Sequence, residues 1–443
     1  MQKVLWQQQP GYGLNASDID VLFSAEQYKS RLLSLIASAT QRIYITALYL
    51  QDDEAGQEIL TALHQASLAR PQLDIKVFVD FHRAQRGLIG AKEKGGNAAF
   101  YQKFKQQYQS NVQILGVPVK AKELFGVLHL KGFIFDDTVL YSGASLNNVY
   151  LQHAERYRLD RYFVIRQPQL ADAMIDFLNA AFIQSEAIPR LDIHPVPKFV
   201  ELKTQHRKLV RFLKTASYTP SSEKTQDDLN AQLYLGLGRR GNKLNKLIKQ
   251  LFQSAENELI LYTPYFNFPA PLLRILAKQL KKGVKVTIVV GDKTANDFYI
   301  PPEERFSKIG ALPYLYETIL QRFLERKHQF VESKQLRVFL WKHDTNSFHL
   351  KGISVDKKMH LMTGHNLNPR AWGLDIENGI LLNDPNGHLA ADLEKEKQQI
   401  LAHCTEINSY AEIETLEHYP EPVRKILGQA KRVKVDFIIK RFI

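Results

Sequence analysis

One short motif occurs twice in this chain, with the same internal spacing and 220 residues apart. The first copy is His129-Leu-Lys-Gly-Phe-Ile-Phe-Asp136, and the second is His349-Leu-Lys-Gly-Ile-Ser-Val-Asp356. Each copy lies in an apolar stretch that is typical of a strand, where residues two apart project from the same face. We therefore expect the histidine and lysine of each copy to point together, and we expect one site to be built from both halves of the chain.

The surroundings of the two motifs also repeat, which argues against a chance match. Tyr141-Ser-Gly-Ala-Ser-Leu-Asn147 follows the first copy, and Met362-Thr-Gly-His-Asn-Leu-Asn368 follows the second. A phosphoryl group is negatively charged, so a site that transfers it needs cations and a neutral nucleophile, and an imidazole can be neutral or protonated near pH 7. The candidate catalytic residues are His129, Lys131, His349 and Lys351, with Asn147 and Asn368 as candidates for binding phosphate oxygens.

Asp136 and Asp356 complete the motifs and are included in the candidate catalytic set. Each lies five residues beyond the motif lysine, and this odd offset places it on the opposite face of a regular strand. We therefore expect these aspartates to hold structure rather than react. A turn acid at a strand end and a functional acid remain alternative interpretations.

The repeat extends over most of the chain and indicates its architecture. In each half a helical pattern (24–40, 241–255) precedes an apolar run (43–50, 259–266), and a second helical pattern (56–69, 270–282) precedes another strand-like run (75–80, 284–290). This alternation predicts an α/β fold in which each half is a mixed sheet flanked by helices. A proline-containing stretch, 188–228, separates the halves, so we predict domains at 1–200 and 201–443, related by a pseudo-twofold axis.

Composition limits the partners and the compartment. Lys and Arg outnumber Asp and Glu by 59 to 46, and the resulting charge of +13 favours an anionic partner, either nucleic acid or an acidic membrane surface. Cys404 is the single cysteine, which excludes an intrachain disulfide and a cysteine-based metal cluster. The N-terminus lacks the apolar core of a signal peptide, and no uncharged apolar run is long enough to span a bilayer. We expect a cytosolic or peripheral protein.

Two segments combine basic and apolar residues, 198–215 and 424–443. Either one is suited to an anionic membrane surface. For 198–215 a solvated helix face is an equally good interpretation. The alternation from Val433 to Ile439 favours a strand in the C-terminal segment.

The paired motifs, with glycine and asparagine downstream, resemble the phospholipase D superfamily over about residues 24–400. The commoner pattern in that superfamily is Gly-Ser-x-Asn, whereas Asn147 and Asn368 each lie one residue further along. The resemblance implies two similar domains about one site and an acidic residue downstream of the motif. That acid falls on Glu377 in the second half, while Glu155 and Asp160 are both candidates in the first.

The resemblance also implies a two-step reaction in which one histidine attacks phosphorus and the other protonates the leaving group. The superfamily more often uses its N-terminal histidine for attack, so His129 is assigned as nucleophile, His349 as general acid and Glu377 as the residue that orients an imidazole. Neither a metal nor a cofactor is required. The wording of the motifs is similar to that of bacterial phosphatidyltransferases, which implies CDP-diacylglycerol and L-serine as substrates, at the inner membrane.

Other functions remain open from the sequence. The same site would serve hydrolysis by a phospholipase D, or cardiolipin synthesis with a glycerol hydroxyl as acceptor. A nuclease of the superfamily would also carry a charge of +13. Intact histidines and lysines in both halves argue against a binding protein with inactive motifs. Ribosome binding and the oligomeric state are likewise open.

Overall fold

The computed structural model describes residues 4–86, 96–222, 228–301 and 303–432. In the first half, the strands are β1 (Tyr12–Gly13), β2 (Ile19–Leu22), β3 (Arg42–Thr46), β4 (Asp74–Asp80), β5 (Gln113–Val117), β6 (Leu128–His129), β7 (Phe133–Phe135), β8 (Thr138–Ser142), β9 (Arg158–Leu159) and β10 (Tyr162–Arg166). The helices are α1 (Ala25–Ser38), α2 (Glu54–Ala69), α3 (Phe81–Ala84), α4 (Gly96–Tyr108) and α5 (Pro168–Leu178).

The second half follows the same plan. Its strands are β11 (Asn230–Leu237), β12 (Glu258–Tyr262), β13 (Lys285–Gly291), β14 (Leu336–Trp341), β15 (Ser347–Phe348), β16 (Gly352–Val355), β17 (Met359–Thr363), β18 (Ile376–Asn383) and β19 (Cys404–Ile407). Its helices are α6 (Lys203–Thr215), α7 (Lys243–Ser254), α8 (Ala270–Lys281), α9 (Leu312–Glu325), α10 (His328–Glu332), α11 (Pro369–Gly373), α12 (Ala390–Leu401) and α13 (Glu421–Arg432).

The two large sheets have the same strand order, which confirms the predicted repeat. The first sheet runs β2-β10-β8-β7-β3-β4-β5, and the second contains the corresponding series β11-β18-β17-β16-β12-β13-β14, flanked by β1 and β19. In each of these seven-strand series three neighbouring strands pair in parallel and the others antiparallel, so both sheets are mixed, as predicted. The predicted helices α1, α2, α7 and α8 are present.

Polar side chains fix where several helices begin. Ser24 accepts a hydrogen bond from the Gln27 N–H ahead of α1, and Asn242 does the same for the Asn245 N–H ahead of α7. A side-chain oxygen at this position satisfies one of the unpaired N–H groups of the first turn. The equivalent helices of the two halves therefore start in the same way and pack against equivalent strands.

One apolar core joins the two sheets. Phe163 of β10 and Tyr141 of β8 lie in the same cluster of buried side chains as Leu233 of β11 and Ile380 of β18. β1 precedes the first sheet in sequence but pairs with β11 in the second. The domain boundary near residue 200 stays a prediction.

The motif segments cross from one sheet to the other, which the sequence did not indicate. His129 lies in β6, which pairs in parallel with β18 of the second half, and β15, just before His349, pairs with β9 of the first. The chain enters its own sheet only at Phe133 or Gly352. The predicted single strand through each motif is therefore wrong, and Gly132 (φ 110°) allows the first break because glycine tolerates this backbone conformation.

The segment 198–215 forms α6 over Lys203–Thr215, and α13 covers the start of the basic C-terminal segment. The alternating residues from Val433 onward, where we predicted a strand, lie outside the described residues. Within the described ranges, no helix is both long enough and apolar enough to cross a membrane.

Candidate active site

Two imidazole–carboxylate pairs lie at the interface between the halves, and each pair takes one residue from each half. His129 Nδ1 is 2.9 Å from both carboxylate oxygens of Glu377. His349 Nδ1 is 3.1 Å from Asp160 Oδ2. The crossed strands bring these partners together, because β6 places His129 directly opposite Glu377. Neither half therefore has a complete set of reactive groups by itself.

The strand register identifies Asp160 as the structural counterpart of Glu377. Ser142 pairs with Tyr162 in the first sheet, and Thr363 pairs with Gly379 in the second. Asp160 lies two residues before Tyr162, and Glu377 lies two residues before Gly379. The two acids therefore occupy equivalent positions in the two sheets. The open choice between Glu155 and Asp160 falls on Asp160 as the histidine's partner, since Glu155 is exposed.

A longer loop in the first half hid this equivalence from the sequence. Asp160 lies 18 positions after Ser142, whereas Glu377 lies 14 positions after Thr363. The local match of Leu159-Asp160 to Leu374-Asp375 places Tyr162 opposite Glu377, two residues out of register with the sheets. An alignment of the two halves with a gap in this segment would have placed Asp160 opposite Glu377.

The two motif lysines are in different surroundings although both are buried. Lys351 Nζ lies 2.9 Å from Asp160 Oδ2 and also contacts His349 Nδ1. Lys131 Nζ has no hydrogen-bond partner among the described residues. Burial, together with the charge of Lys351 and against the opposing effect of Glu377, lowers the pKa of Lys131 to about 7. The site thus contains a buried amine that an anionic ligand would stabilise in its charged form.

Burial also favours the neutral form of both imidazoles. It lowers the pKa of His129 well below the usual value, and Lys131 adds to this. Burial lowers the pKa of His349 to about 4, with Lys351 acting in the same direction. Burial raises the pKa of Glu377. Burial also acts to raise the pKa of Asp160, but the charges and hydrogen bonds of Lys351 and His349 together outweigh it and lower that pKa. A neutral His129 whose Nδ1–H is held by Glu377 leaves Nε2 as its basic, nucleophilic atom.

The glycines downstream of the motifs are needed for close approach. A Cβ atom at Gly143 would lie 2.9 Å from Lys351 Nζ, and one at Gly364 would lie 2.9 Å from Lys131 Cγ. Each glycine thus faces the lysine of the other half. A side chain at either position would displace that lysine, which explains why glycine follows both motifs.

Asn147 and Asn368 lie next to tyrosines and cap short segments. The Oδ1 atoms accept hydrogen bonds from the backbone N–H three residues later, at 3.0 Å for Asn147 and 2.9 Å for Asn368. The amide nitrogens lie 3.4 Å from Tyr49 OH and 3.3 Å from Tyr265 OH. These contacts orient both amides, and their binding of phosphate stays a prediction.

Asp136 and Asp356 bind backbone instead of facing the imidazoles. Both lie in hairpin turns in the left-handed region, with φ 48° and 50°. Asp136 accepts N–H groups of residues 40–42 at 2.8–3.0 Å, and Asp356 accepts those of residues 256–258 at 2.7–2.9 Å. These contacts fix the chain ahead of β3 and β12. They fit the expected structural role and do not support a place in the catalytic set.

Sequence reasoning missed two polar side chains at the site. Tyr150 OH lies 2.9 Å from His349 Nδ1, and the matching position in the second half is Ala371. The Asn378 side chain donates to the Lys131 carbonyl and accepts its N–H, both at 2.8 Å. Asn378 directly follows Glu377 in the sequence, and this position next to a predicted site residue was the one feature that could have indicated it. No signal marked Tyr150.

Two His-Lys motifs, in which each histidine pairs with an acid from the other half, define a phospholipase D-type phosphotransfer site. A family model described as "Cardiolipin synthase, PLD-like domain" matches residues 32–181 and 248–401. The chain is 47% identical to the CDP-diacylglycerol–serine O-phosphatidyltransferase of Haemophilus influenzae over 97% of its length and 96% of the relative's. The corresponding protein of Escherichia coli is 46% identical, with 98% and 97% covered.

The crystal structure of phosphatidylserine synthase from Haemophilus influenzae matches with a TM-score of 0.95 and 46% identity, covering 98% of this chain and 97% of that one. The chain therefore belongs to the PLD-like family and, within it, to the family of these bacterial phosphatidyltransferases. The resemblance inferred from the motifs is confirmed.

Proposed function

We propose that this chain transfers a phosphatidyl group from CDP-diacylglycerol to the hydroxyl of L-serine and releases CMP. The observation that carries the proposal is the pair of His-Lys-acid sets, which converge across the interface in a chain that matches relatives with this named activity over nearly its whole length. Neutral imidazoles beside buried lysines suit attack on an anionic diphosphate, because the nucleophile adds no negative charge.

In the first step, His129 Nε2 attacks the phosphorus of the phosphatidyl group and the bond to the CMP oxygen breaks. Glu377 holds the Nδ1–H and stabilises the positive charge that the ring acquires. Lys131 and Lys351 bind the nonbridging oxygens. His349 gives its proton to the CMP oxygen, and the negative diphosphate favours the protonated form of His349 before transfer.

In the second step, His349 accepts the proton of the serine hydroxyl, the hydroxyl oxygen attacks phosphorus, and the bond from phosphorus to His129 breaks. Both histidines return to their starting forms. The acceptor approaches from the side that CMP has left, since the attacking and departing groups lie in line. Tyr150 and Asp160 keep the His349 ring in place for both steps.

Purified protein mixed with CDP-diacylglycerol micelles, with and without L-serine, tests this function. We expect serine to accelerate CMP release and to appear in the lipid product. If serine does neither, the synthase assignment is wrong. Phosphatidic acid as the product would indicate a phospholipase D, transfer to a glycerol hydroxyl would indicate a cardiolipin synthase, and cleavage of DNA would indicate a nuclease.

The pKa of Lys131 predicts a pH dependence. With that pKa at about 7 in the free enzyme, Lys131 loses its charge as the pH rises through 7, and its attraction for the diphosphate is lost with it. We expect kcat/KM for CDP-diacylglycerol, which reports on the free enzyme, to fall by a further factor of about ten per pH unit above this value, beyond any decline caused by loss of the His349 proton. In Lys131→Arg the charge does not titrate, so the decline should move to higher pH. An unchanged decline in that variant would assign the titration to another group.

We further propose that the protein acts at the cytoplasmic face of the inner membrane, through a surface that we name the docking surface. Its first part is the loop before β6, where Leu124 is 60% and Phe125 46% exposed, with Lys120 and Lys122 alongside. This loop leads directly to His129. Apolar side chains beside a lipid-cleaving site can enter the acyl region of a bilayer while the lysines bind anionic headgroups.

The second part of the docking surface is α6. His206 Nε2 lies 3.3 Å from Val119 O, at the base of that loop. One face of α6 is buried at Leu209 and Leu213, and Phe212 is 42% exposed. The exposed basic residues of α6 are Lys203, Arg207, Lys208, Arg211 and Lys214.

Replacing Leu124 and Phe125 together with serine should weaken binding to vesicles that contain phosphatidylglycerol by at least about tenfold, because each large apolar side chain removed from water contributes about 1.5–3 kcal/mol. Co-sedimentation with vesicles measures this. Leu68→Ser is the matched control, since Leu68 is 52% exposed on α2. Equal binding by the double variant and the control would exclude the loop from the docking surface.

A further inference from the structure

An ion pair that is partly exposed to solvent lies next to Tyr150, a contact of His349. Arg158 Nε is 2.8 Å from Asp297 Oδ1, and the two side chains are 14% and 25% exposed. The Arg158 guanidinium lies over the Tyr150 ring, 4.7 Å from its centroid. Tyr150 OH in turn lies 2.9 Å from His349 Nδ1. One positive and one negative group thus lie next to Tyr150, which contacts the histidine that serves as acid and base.

This pair breaks the symmetry of the two halves. Arg158 is the first residue of β9, within the longer segment between β8 and Asp160 in the first half. Asp297 follows β13, and its carboxylate raises the pKa of His349 against the stronger lowering by burial. The strands, glycines and motif lysines are duplicated, whereas this arrangement serves only the His349 side. A difference between the halves is expected, because CMP leaves and the acceptor enters on the His349 side, whereas His129 forms the covalent intermediate.

Resting on the function proposed above, we infer that Arg158 and Asp297 form the acceptor subsite, where Arg158 binds the carboxylate of L-serine and Asp297 binds its ammonium group. An amino acid carries both charges on one carbon, so it can insert between the two partners and replace each by a charge of the same sign. Charge-assisted hydrogen bonds then form at both ends, and neither side chain is left unpaired. The hydroxyl is thereby directed to His349.

The chemistry of the second step supports this location. Serine must approach phosphorus from the side that CMP leaves, and His349 is the group on that side. A further arginine–acid pair, Arg370 with Asp375 at 3.1 Å, lies near Glu377 instead, and Asp375 is 4% exposed and also accepts the Val127 N–H. Water and glycerol carry neither charge, so the subsite favours serine over both.

Acceptor analogues that each lack one charge provide the test. Serinamide keeps the ammonium but has no carboxylate, and 3-hydroxypropionate keeps the carboxylate but has no ammonium. For each enzyme, kcat/KM for L-serine is divided by kcat/KM for each analogue, which cancels any effect of a substitution on folding or on the first step. We expect Arg158→Gln to reduce the preference over serinamide, and Asp297→Asn to reduce the preference over 3-hydroxypropionate, each by about tenfold or more.

The crossed pattern is the result that supports the subsite. Unchanged ratios in both variants, or the same change toward both analogues in either one, would overturn it. Arg337→Gln is the matched control, because Arg337 pairs with Glu406 at 2.8 Å on β14 and β19, and both ratios should stay at the wild-type value. Failure of the wild-type protein to transfer to serine would instead refute the proposed function.

Discussion

His349→Ala is expected to accumulate a phosphatidyl group covalently bound to His129, whereas His129→Ala is expected to form no adduct. The two steps depend differently on His349. CMP leaves as a stabilised phosphate anion, so its departure depends less on the proton from His349 than attack by the serine hydroxyl, a weak nucleophile, depends on His349 as base. Loss of general acid–base help typically slows a step by roughly 10²–10⁴-fold. The second step should therefore be slowed more than the first, and the intermediate should persist.

Mass spectrometry of the acid-quenched protein, followed by identification of the modified peptide, measures this adduct. His129→Ala removes the attacking atom itself, so turnover should fall at least roughly 10⁴-fold. The double variant His129→Ala/His349→Ala controls for labelling at other residues. An adduct in His129→Ala that is absent from His349→Ala would exchange the roles of the two histidines.

The structure gives a reason for this assignment that the symmetric motifs lacked. His129 contacts a single carboxylate through Nδ1, and Lys131 Nζ has no hydrogen-bond partner among the described residues, so both side chains are available for a phosphoryl group. His349 is surrounded by Asp160, Lys351 and Tyr150. That environment restrains a ring that has to exchange protons.

The fold was largely predictable because the repeat duplicates the pattern of helices and strands. The two similar mixed sheets followed from the alternation of helical and strand-like patterns in each half. The pairing of the motifs followed from the repeat. The crossing of β6 and β15 was not predictable, because a strand of two residues has no periodicity of its own. The exchanged acids depended on that crossing. Glu377 was found through the family pattern, and Asp160 stayed one of two candidates until the strand register placed it.

Site residues that have no counterpart in the other half could not be predicted from the sequence. Tyr150, Arg158 and Asp297 come together from three separate segments, and each is an ordinary residue type in its local context. The expected structural role of Asp136 and Asp356 agrees with their backbone contacts, although the regular strand assumed for it is absent, because both aspartates lie in hairpin turns. The helices and strands with a clear apolar pattern were therefore predictable, whereas contacts that depend on how the halves meet were not.

Glu377→Gln and Asp160→Asn should separate catalysis from stability, because the two acids do different work. Both oxygens of Glu377 lie 2.9 Å from His129 Nδ1, and burial raises the pKa of Glu377. Glutamine has the same shape but can donate through its NH₂ group, which would move the imidazole proton to Nε2 and remove the nucleophilic lone pair. We expect kcat to fall by roughly 10²–10⁴-fold, as when an acid that sets a catalytic tautomer becomes an amide. The free energy of unfolding should change little.

Asp160→Asn should lower the stability as well as the rate. Asp160 lies 2.9 Å from Lys351 Nζ, and both side chains are at most 1% exposed. Removing its charge leaves a buried lysine unpaired, which typically costs about 3–5 kcal/mol. Denaturant unfolding of both variants at one pH measures the difference. Equal stabilities would mean that Lys351 is uncharged in the empty site, and its charge would then form only when the diphosphate binds.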